Sequence, residues 1–402
     1  MTFAVAAFAA ETGPALGAPD FRPTPEHAFG FRGDGSGRFP SAPPPTEWSL
    51  IKNVRWSAVV GRSFSSPIVT DKFVYLTSEP NLLFCLNRAD GKVAWKLEVT
   101  PALLSDEKSR AAAAEYKAKE SGMTAATPLL DGETLYSVYA NGIILAVDLN
   151  GKPKWTAYID AEQTTAYGRS ASPIIYTGKL IVHMTNLYAF DPATGKQVWV
   201  NNEAKTTYGS PGGTKIAGTE LIVTSGGDIV RAGDGKGLNS GLGPSFHTTP
   251  GIQDGIIYFG DHEITAIKLN DKFKEEEQWN GDVTGDVFGS PLLHDGLLYT
   301  VSALGELCAF DLKGKGSAKP VIEGRMLFGD PTGSPVAYAS LTLGGKHLFI
   351  NSLRGETVVL EATREAKEVG RNSLKEGSGA SPVFFGKDLF LRDGDKLYCI
   401  GE

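Results

Sequence analysis

Ser172-Pro173-Ile174-Ile175-Tyr176-Thr177-Gly178-Lys179-Leu180-Ile181-Val182-His183, then Leu187-Tyr188-Ala189-Phe190-Asp191 and, past Pro192-Ala193-Thr194-Gly195-Lys196, Gln197-Val198-Trp199, reads as four short strands of one antiparallel sheet. The proline opens the first strand, where a missing N–H is tolerated. Thr177-Gly178 is a two-residue hairpin turn, and its glycine supplies the positive φ that such turns demand. β-Branched and aromatic residues fill the runs on either side of the turn.

Outward from this unit the same pattern recurs along the chain. Ser66-Pro67, Thr127-Pro128, Ser172-Pro173, Ser210-Pro211, Thr249-Pro250, Ser290-Pro291, Ser334-Pro335 and Ser381-Pro382 each open an apolar run. The prolines run from 67 to 382 in seven steps averaging 45 residues, a period that signals blades or a solenoid. A sheet of four short strands cannot bury both faces alone, so neighbouring units must stack. A linear stack needs capping units at both ends, whereas a ring needs its last sheet completed by the other terminus. Val54-Arg55-Trp56-Ser57-Ala58 reads like the fourth strands at Val93-Ala94-Trp95 and Val198-Trp199, yet it precedes the first anchor. The eighth unit stops at Tyr398-Cys399-Ile400 without such a strand. The expected fold is therefore all-β: an eight-bladed β-propeller of four-stranded antiparallel blades, its ring closed by an N-terminal strand near Trp56.

Composition agrees, since 48 glycines and 23 prolines suit a chain made of short turns. A net charge of −7 argues against general nucleic-acid binding, which shows a basic surface. After the start, the sequence holds no apolar run long enough to span a bilayer. Cys85, Cys308 and Cys399 fall in third strands of separate blades, which predicts buried thiols rather than a disulfide framework.

Residues 2–10 form an apolar stretch ending in small residues, like the late part of a secretory signal peptide. Residues 1–48 are expected to be an export-signal remnant and an extended Pro/Gly-rich leader, and residues 49–402 the propeller. A periplasmic or secreted monomer follows, without a lipid anchor because no cysteine lies near the start. A helical insertion is expected at about 103–120, where Ser105 to Lys119 is alanine-rich and begins with a capping pattern. Asp106 with Arg110 and Glu115 with Lys119 are spaced to pair along it.

Leu145-Ala146-Val147-Asp148-Leu149-Asn150-Gly151-Lys152-Pro153-Lys154-Trp155 and Ala189-Phe190-Asp191-Pro192-Ala193-Thr194-Gly195-Lys196-Gln197-Val198-Trp199 resemble the Ala-x-Asp-x-x-Thr-Gly-Lys-x-x-Trp repeat of the pyrroloquinoline-quinone (PQQ)-like propeller family. Leu86 to Trp95 is a close variant. The resemblance runs from about residue 50 to 402 and implies that Trp56, Trp95, Trp155, Trp199 and Trp279 dock between adjacent blades. Quinoprotein dehydrogenases of this superfamily carry adjacent cysteines against their cofactor, and no Cys-Cys pair occurs here, so no PQQ or other cofactor is expected. A non-catalytic branch, typified by an outer-membrane assembly lipoprotein of similar size, implies an exported interaction scaffold.

Loops before each anchor meet on one rim, the top, and connections on a rigid scaffold are where function concentrates. They deliver Arg62, Tyr167, Arg169, Tyr208, His247 and Phe288 as ligand-binding candidates around the channel mouth. Arginine, tyrosine and histidine in such a ring suit a carboxylate, a phosphate or a sugar. The six histidines lack paired metal-ligand spacing, and Asp261-His262-Glu263 reads as a polar hairpin tip, so no metal site is expected. The glycine-rich runs lack the spacing of a phosphate cradle, no nucleophile elbow occurs, and no catalytic residue is assigned. Two readings follow: a non-catalytic scaffold that holds a protein or peptide partner on its top rim, or a small-molecule binder or enzyme taking a quinone, sugar or anion at the channel mouth.

Overall fold

The sheet that begins after Ser172 consists of Ile174–Tyr176, Lys179–Met184, Asn186–Phe190 and Gln197–Asn201, paired antiparallel in that order. Its first turn needs glycine, because Gly178 sits at φ +69°. The computed structural model describes residues 14–243, 245–330 and 332–402. Residues 2–10, the stretch expected to be the late part of a signal peptide, lie outside them. Eight such sheets, here blades 1 to 8 in chain order, form the propeller. Blade 8 combines Val383–Phe385, Asp388–Asp393 and Lys396–Ile400 with the early strand Val54–Val59, in which Trp56 pairs with Cys399. Arg55 and Arg88 donate to the two carboxylate oxygens of buried Asp388, each at 2.7 Å, and tie the closing strand to blade 1.

The anchors form a continuous circle around the channel. The N–H of Ser66 donates to Thr127 Oγ1, Thr127 to Ser172, Ser172 to Ser210, Ser210 to Thr249, Thr249 to Ser290, Ser290 to Ser340, Ser340 to Ser381, and Ser381 back to Ser66. All eight bonds are 2.8–3.1 Å long and buried. One expectation is corrected by this circle. The seventh anchor is Ser340, followed by Leu341 and the inner strand Thr342–Gly344, while Ser334-Pro335 lies exposed in the preceding crossover. The hydroxyl makes the link, so the proline after it is dispensable.

Five seams between blades share one construction. The indole N–H of Trp56 donates to Arg88 O, Trp95 to Leu149 O, Trp155 to Pro192 O, Trp199 to Ala232 O and Trp279 to Leu312 O, in each case a turn of the next blade. A glycine packs flat against the ring. A Cβ on Gly195, at φ +71°, would lie 2.4 Å from Trp155. The residue paired with each indole is small: Cys399, Cys85, Ala146, Ala189 and Ala266. Two of the three cysteines are thus packing residues, and burial pushes both Cys85 and Cys399 thiols up to about 12.

The three other seams are sealed differently. Asn239 donates to Phe273 O at 2.9 Å between blades 4 and 5. Between blades 6 and 7, Arg325 donates to Glu365 O and Ala366 O at 3.0 and 2.6 Å. Against blade 7, Trp48 of the leader stacks on Phe349 and donates its backbone N–H to Asn372 Oδ1 at 2.7 Å.

From residue 14 the leader is packed structure. Arg38–Phe39 adds in parallel to the inner strand of blade 7, Phe29 exchanges backbone bonds with Leu130, and Leu16, Phe29 and Phe39 join the core. Arg32 is buried under the channel and donates to Pro291 O at 2.9 Å, and desolvation lowers its guanidinium to about 10. Below the anchor circle the leader walls a cavity of about 350 Å³ together with Pro173, Pro211, Pro250 and Pro291.

The insertion after blade 1 is shorter than its sequence pattern. Pro101–Leu103 forms one 3-10 turn and Glu107–Glu115 the helix α1, capped by the Asp106 carboxylate accepting from Ser109 N at 2.8 Å. Arg110 turns back to Leu104 O and Ser105 O instead of Asp106. Tyr116 leaves the helix in extended conformation, so Lys119 lies beyond the turn that would pair it with Glu115.

Candidate functional site: the aromatic channel mouth

Above the anchor circle, the residue two places before each anchor points into a cavity of about 490 Å³. These residues are Phe64, Ala125, Ser170, Tyr208, His247, Phe288, Tyr338 and Gly379, one from each blade in turn. The repeat places them, because the circle fixes the distance from every anchor to the channel axis. Five of the eight are aromatic, and they lie side by side.

Tyr208 stacks on His247 with centroids 5.2 Å apart and planes 2° from parallel. His247 meets Phe288 edge-on at 4.6 Å, Phe288 meets Tyr338 at 5.0 Å, and Tyr338 meets Phe64 at 6.5 Å. Phe64 reaches Tyr338 across blade 8, where a Cβ on Gly379 would fall 2.4 Å from its ring. Tyr167 extends the row from the other end, 5.9 Å from Tyr208, whose hydroxyl accepts the Tyr167 N–H at 3.0 Å. Six rings therefore run unbroken round the mouth from blade 3 to blade 1. At blade 2 the wall is small and polar, from Glu120, Ser121 and Ala125.

Of the sequence candidates, Tyr167, Tyr208, His247 and Phe288 meet here. Arg62 lies outside the cavity, 72% exposed, and pairs with Glu376 at 3.3 Å. Arg169 is buried behind the wall, where it donates to Ala140 O and Ala161 O under the ring of Tyr116, 5.0 Å from its centroid. Desolvation lowers its guanidinium. Phe64 and Tyr338 were not singled out by sequence. A count of two residues back from each anchor finds Phe64 directly, and finds Tyr338 once Ser340 is recognised as the seventh anchor.

The charges on the lip are acidic. Glu120 and Asp286 line the mouth, and no lysine or arginine does so among the described residues. Burial, with Tyr167 and Glu120 nearby, raises the Tyr338 hydroxyl above its ordinary range. The mouth thus offers flat apolar faces, ringed with hydroxyls and carboxylates, to a guest carrying rings, methylenes or positive charge.

Close to this lip the chain brings together Asp261, His262 and Asp286, whose ligand atoms all lie within 4.8 Å of one another. Spacing along the chain hides the group, because Asp286 comes from the crossover into blade 6 while the other two sit on a hairpin tip of blade 5.

Comparison with solved structures recovers the same architecture. BamB from Moraxella catarrhalis superposes with a TM-score of 0.60 at 14% identity, over 86% of this chain and 96% of that one. The computationally designed Ika8 protein gives 0.61 at 10% identity, over 87% of this chain and all of that one. Quinohemoprotein alcohol dehydrogenase from Comamonas testosteroni gives 0.59 at 12% identity, over 88% and 78%. At these identities the likeness is one of fold alone. No curated protein matches significantly by sequence. The family described as outer membrane protein assembly factor BamB matches residues 5–240, more than half of the chain, and with its repeats, seams and ring closure the protein belongs to that family of PQQ-like propellers.

Proposed function

We propose that this protein is an exported, periplasmic or secreted scaffold that holds a protein or peptide partner at its top rim, with the aromatic mouth as the docking point. The observation that carries this reading is the unbroken row of six rings, of which Tyr167, Phe64 and Tyr338 remain 57%, 40% and 39% exposed. Aromatic side chains that retain water-facing area in a fixed wall are the residues that dominate partner binding. The description of the family as an outer-membrane assembly factor supports an exported location and a protein partner.

A second reading, a small-molecule binder, is favoured by one observation: a mouth of about 490 Å³ lies within the range of ligand pockets. The wall chemistry suits a neutral ring such as a sugar better than the anion or quinone also expected. PQQ bears three carboxylates and requires cationic partners, whereas Glu120 and Asp286 face this mouth while Arg62 and Arg169 are engaged elsewhere. The lining residues do not fit that cofactor, and no chemistry is assigned to it.

The test is a photo-crosslinking residue placed at position 167 in the intact protein in its native cells, with Val198 on the outer wall as the control position. The expected result is one discrete protein adduct from position 167, lost in a Tyr208→Ala/Phe288→Ala variant that keeps its thermal midpoint within a few degrees. Adducts equal at both positions, or unaffected by the double substitution, would reject the docking point. Saturable binding of a neutral sugar by purified protein, lost in the same variant, would replace the scaffold with the second reading.

A further inference from the structure

The hairpin tip Gly260–Asp261–His262 and the crossover 283–290 are held side by side by a backbone bond. Val283 N donates to His262 O at 3.3 Å, and Ala303 N fixes the crossover through Asp286 O at 2.6 Å. Within this frame His262 Nδ1 lies 3.0 Å from Asp286 Oδ1, and an Asp261 carboxylate oxygen completes a group with no pair more than 4.8 Å apart.

Asp261 is the unusual member. Its side chain is 3% exposed, yet among the described residues its carboxylate accepts no hydrogen bond. The nearest basic atom, His247 Nδ1, is 3.9 Å away, and that nitrogen is itself buried without a hydrogen bond. A carboxylate with so little contact with water is stabilised by a donor or a cation beside it. Neither surrounding loop supplies one.

We propose that Asp261, His262 and Asp286 bind one divalent transition-metal ion of the zinc type at the lip of the mouth. An imidazole nitrogen with two carboxylate oxygens suits zinc and cobalt, and the nitrogen discriminates against calcium and magnesium, which take oxygen ligands. The ion bridges the His262 nitrogen and the Asp286 oxygen, 3.0 Å apart, and supplies the positive charge missing beside Asp261. Three protein ligands leave a tetrahedral ion one position for water or for an oxygen of a bound guest. Asp286 also lines the mouth, so the ion sits where a guest enters.

Isothermal titration of the purified, chelator-treated full chain with zinc and with cobalt tests the proposal. The expected result is saturable binding of one ion per chain, with visible absorption bands from bound cobalt. Affinity should fall at least ten-fold in His262→Ala and in Asp261→Asn, and stay unchanged in His294→Ala. His262 is 74% exposed, so His262→Ala should keep the metal-free thermal midpoint, and its result stands even if Asp261→Asn fails to fold. Absence of one-to-one saturation, or the same affinity in His262→Ala as in the parent, overturns the site.

Discussion

Five of the eight seams between blades are sealed by an indole, and three are sealed by Asn239, by Arg325 or by the incoming leader. Asn239 and Arg325 do as the indoles do, each placing a donor on a turn carbonyl of the next blade. What differs is how much apolar area goes with the donor. The tryptophan repeat is therefore one solution to a geometric demand, and its absence from a blade is no sign of a missing blade.

The largest effect should come from the seam with the most buried ring. Trp279 is fully buried against Tyr258 and Phe310, so Trp279→Ala should cost about 3–5 kcal/mol by opening a cavity between blades 5 and 6. Chemical denaturation measures this directly, and a loss below about 1 kcal/mol would mean that the indole is not what seals the seam.

An acid test separates the indole seams further. His183, buried in blade 3, has its Nε2 3.2 Å from Ala204 O of the crossover at the Trp199 seam, and desolvation lowers it to about 4. Its folded value lies below the ordinary 6.5, so the unfolded chain takes up the proton first as pH falls. Stability present above about pH 6.5 should decline toward pH 4, by up to about 3 kcal/mol from this residue. Unfolding measured at pH 7 and pH 4.5 should show a smaller decline in His183→Gln than in the parent. Equal declines would assign the acid sensitivity elsewhere.

The smallest effects belong to the substitute seams. Asn239→Ala removes one neutral hydrogen bond and should cost about 1 kcal/mol, and Arg325→Ala about 1–3 kcal/mol because its donors are charged. Costs at these seams matching that of Trp279→Ala would erase the contrast between the two constructions.

The ring, its blade number and its closure by the Trp56 strand were legible because each depends on local turn chemistry repeated eight times. The mouth was legible in part. Tyr208, His247 and Phe288 could be read from their nearness to an anchor, but nearness alone also admitted Arg62 and Arg169, whose long side chains reach away to Glu376 and to backbone carbonyls. The fixed offset of two residues finds one lining residue per blade once the anchor is known to be the hydroxyl, and Tyr167, five places before Ser172, lines the mouth outside that rule. Asp286 and the leader escaped for a different reason. Their contacts join segments far apart in sequence, and no periodicity marks them.

The circle of hydroxyl links has a mechanical meaning. A linear array can fray from an end, since its outermost member is held on one side only. Here every blade is clasped on both sides at the axis, so detaching any one breaks two links and leaves an orphaned buried amide on its neighbour. Such a closed chain has no weakest terminus, and the molecule should lose its native form as a single body rather than blade by blade.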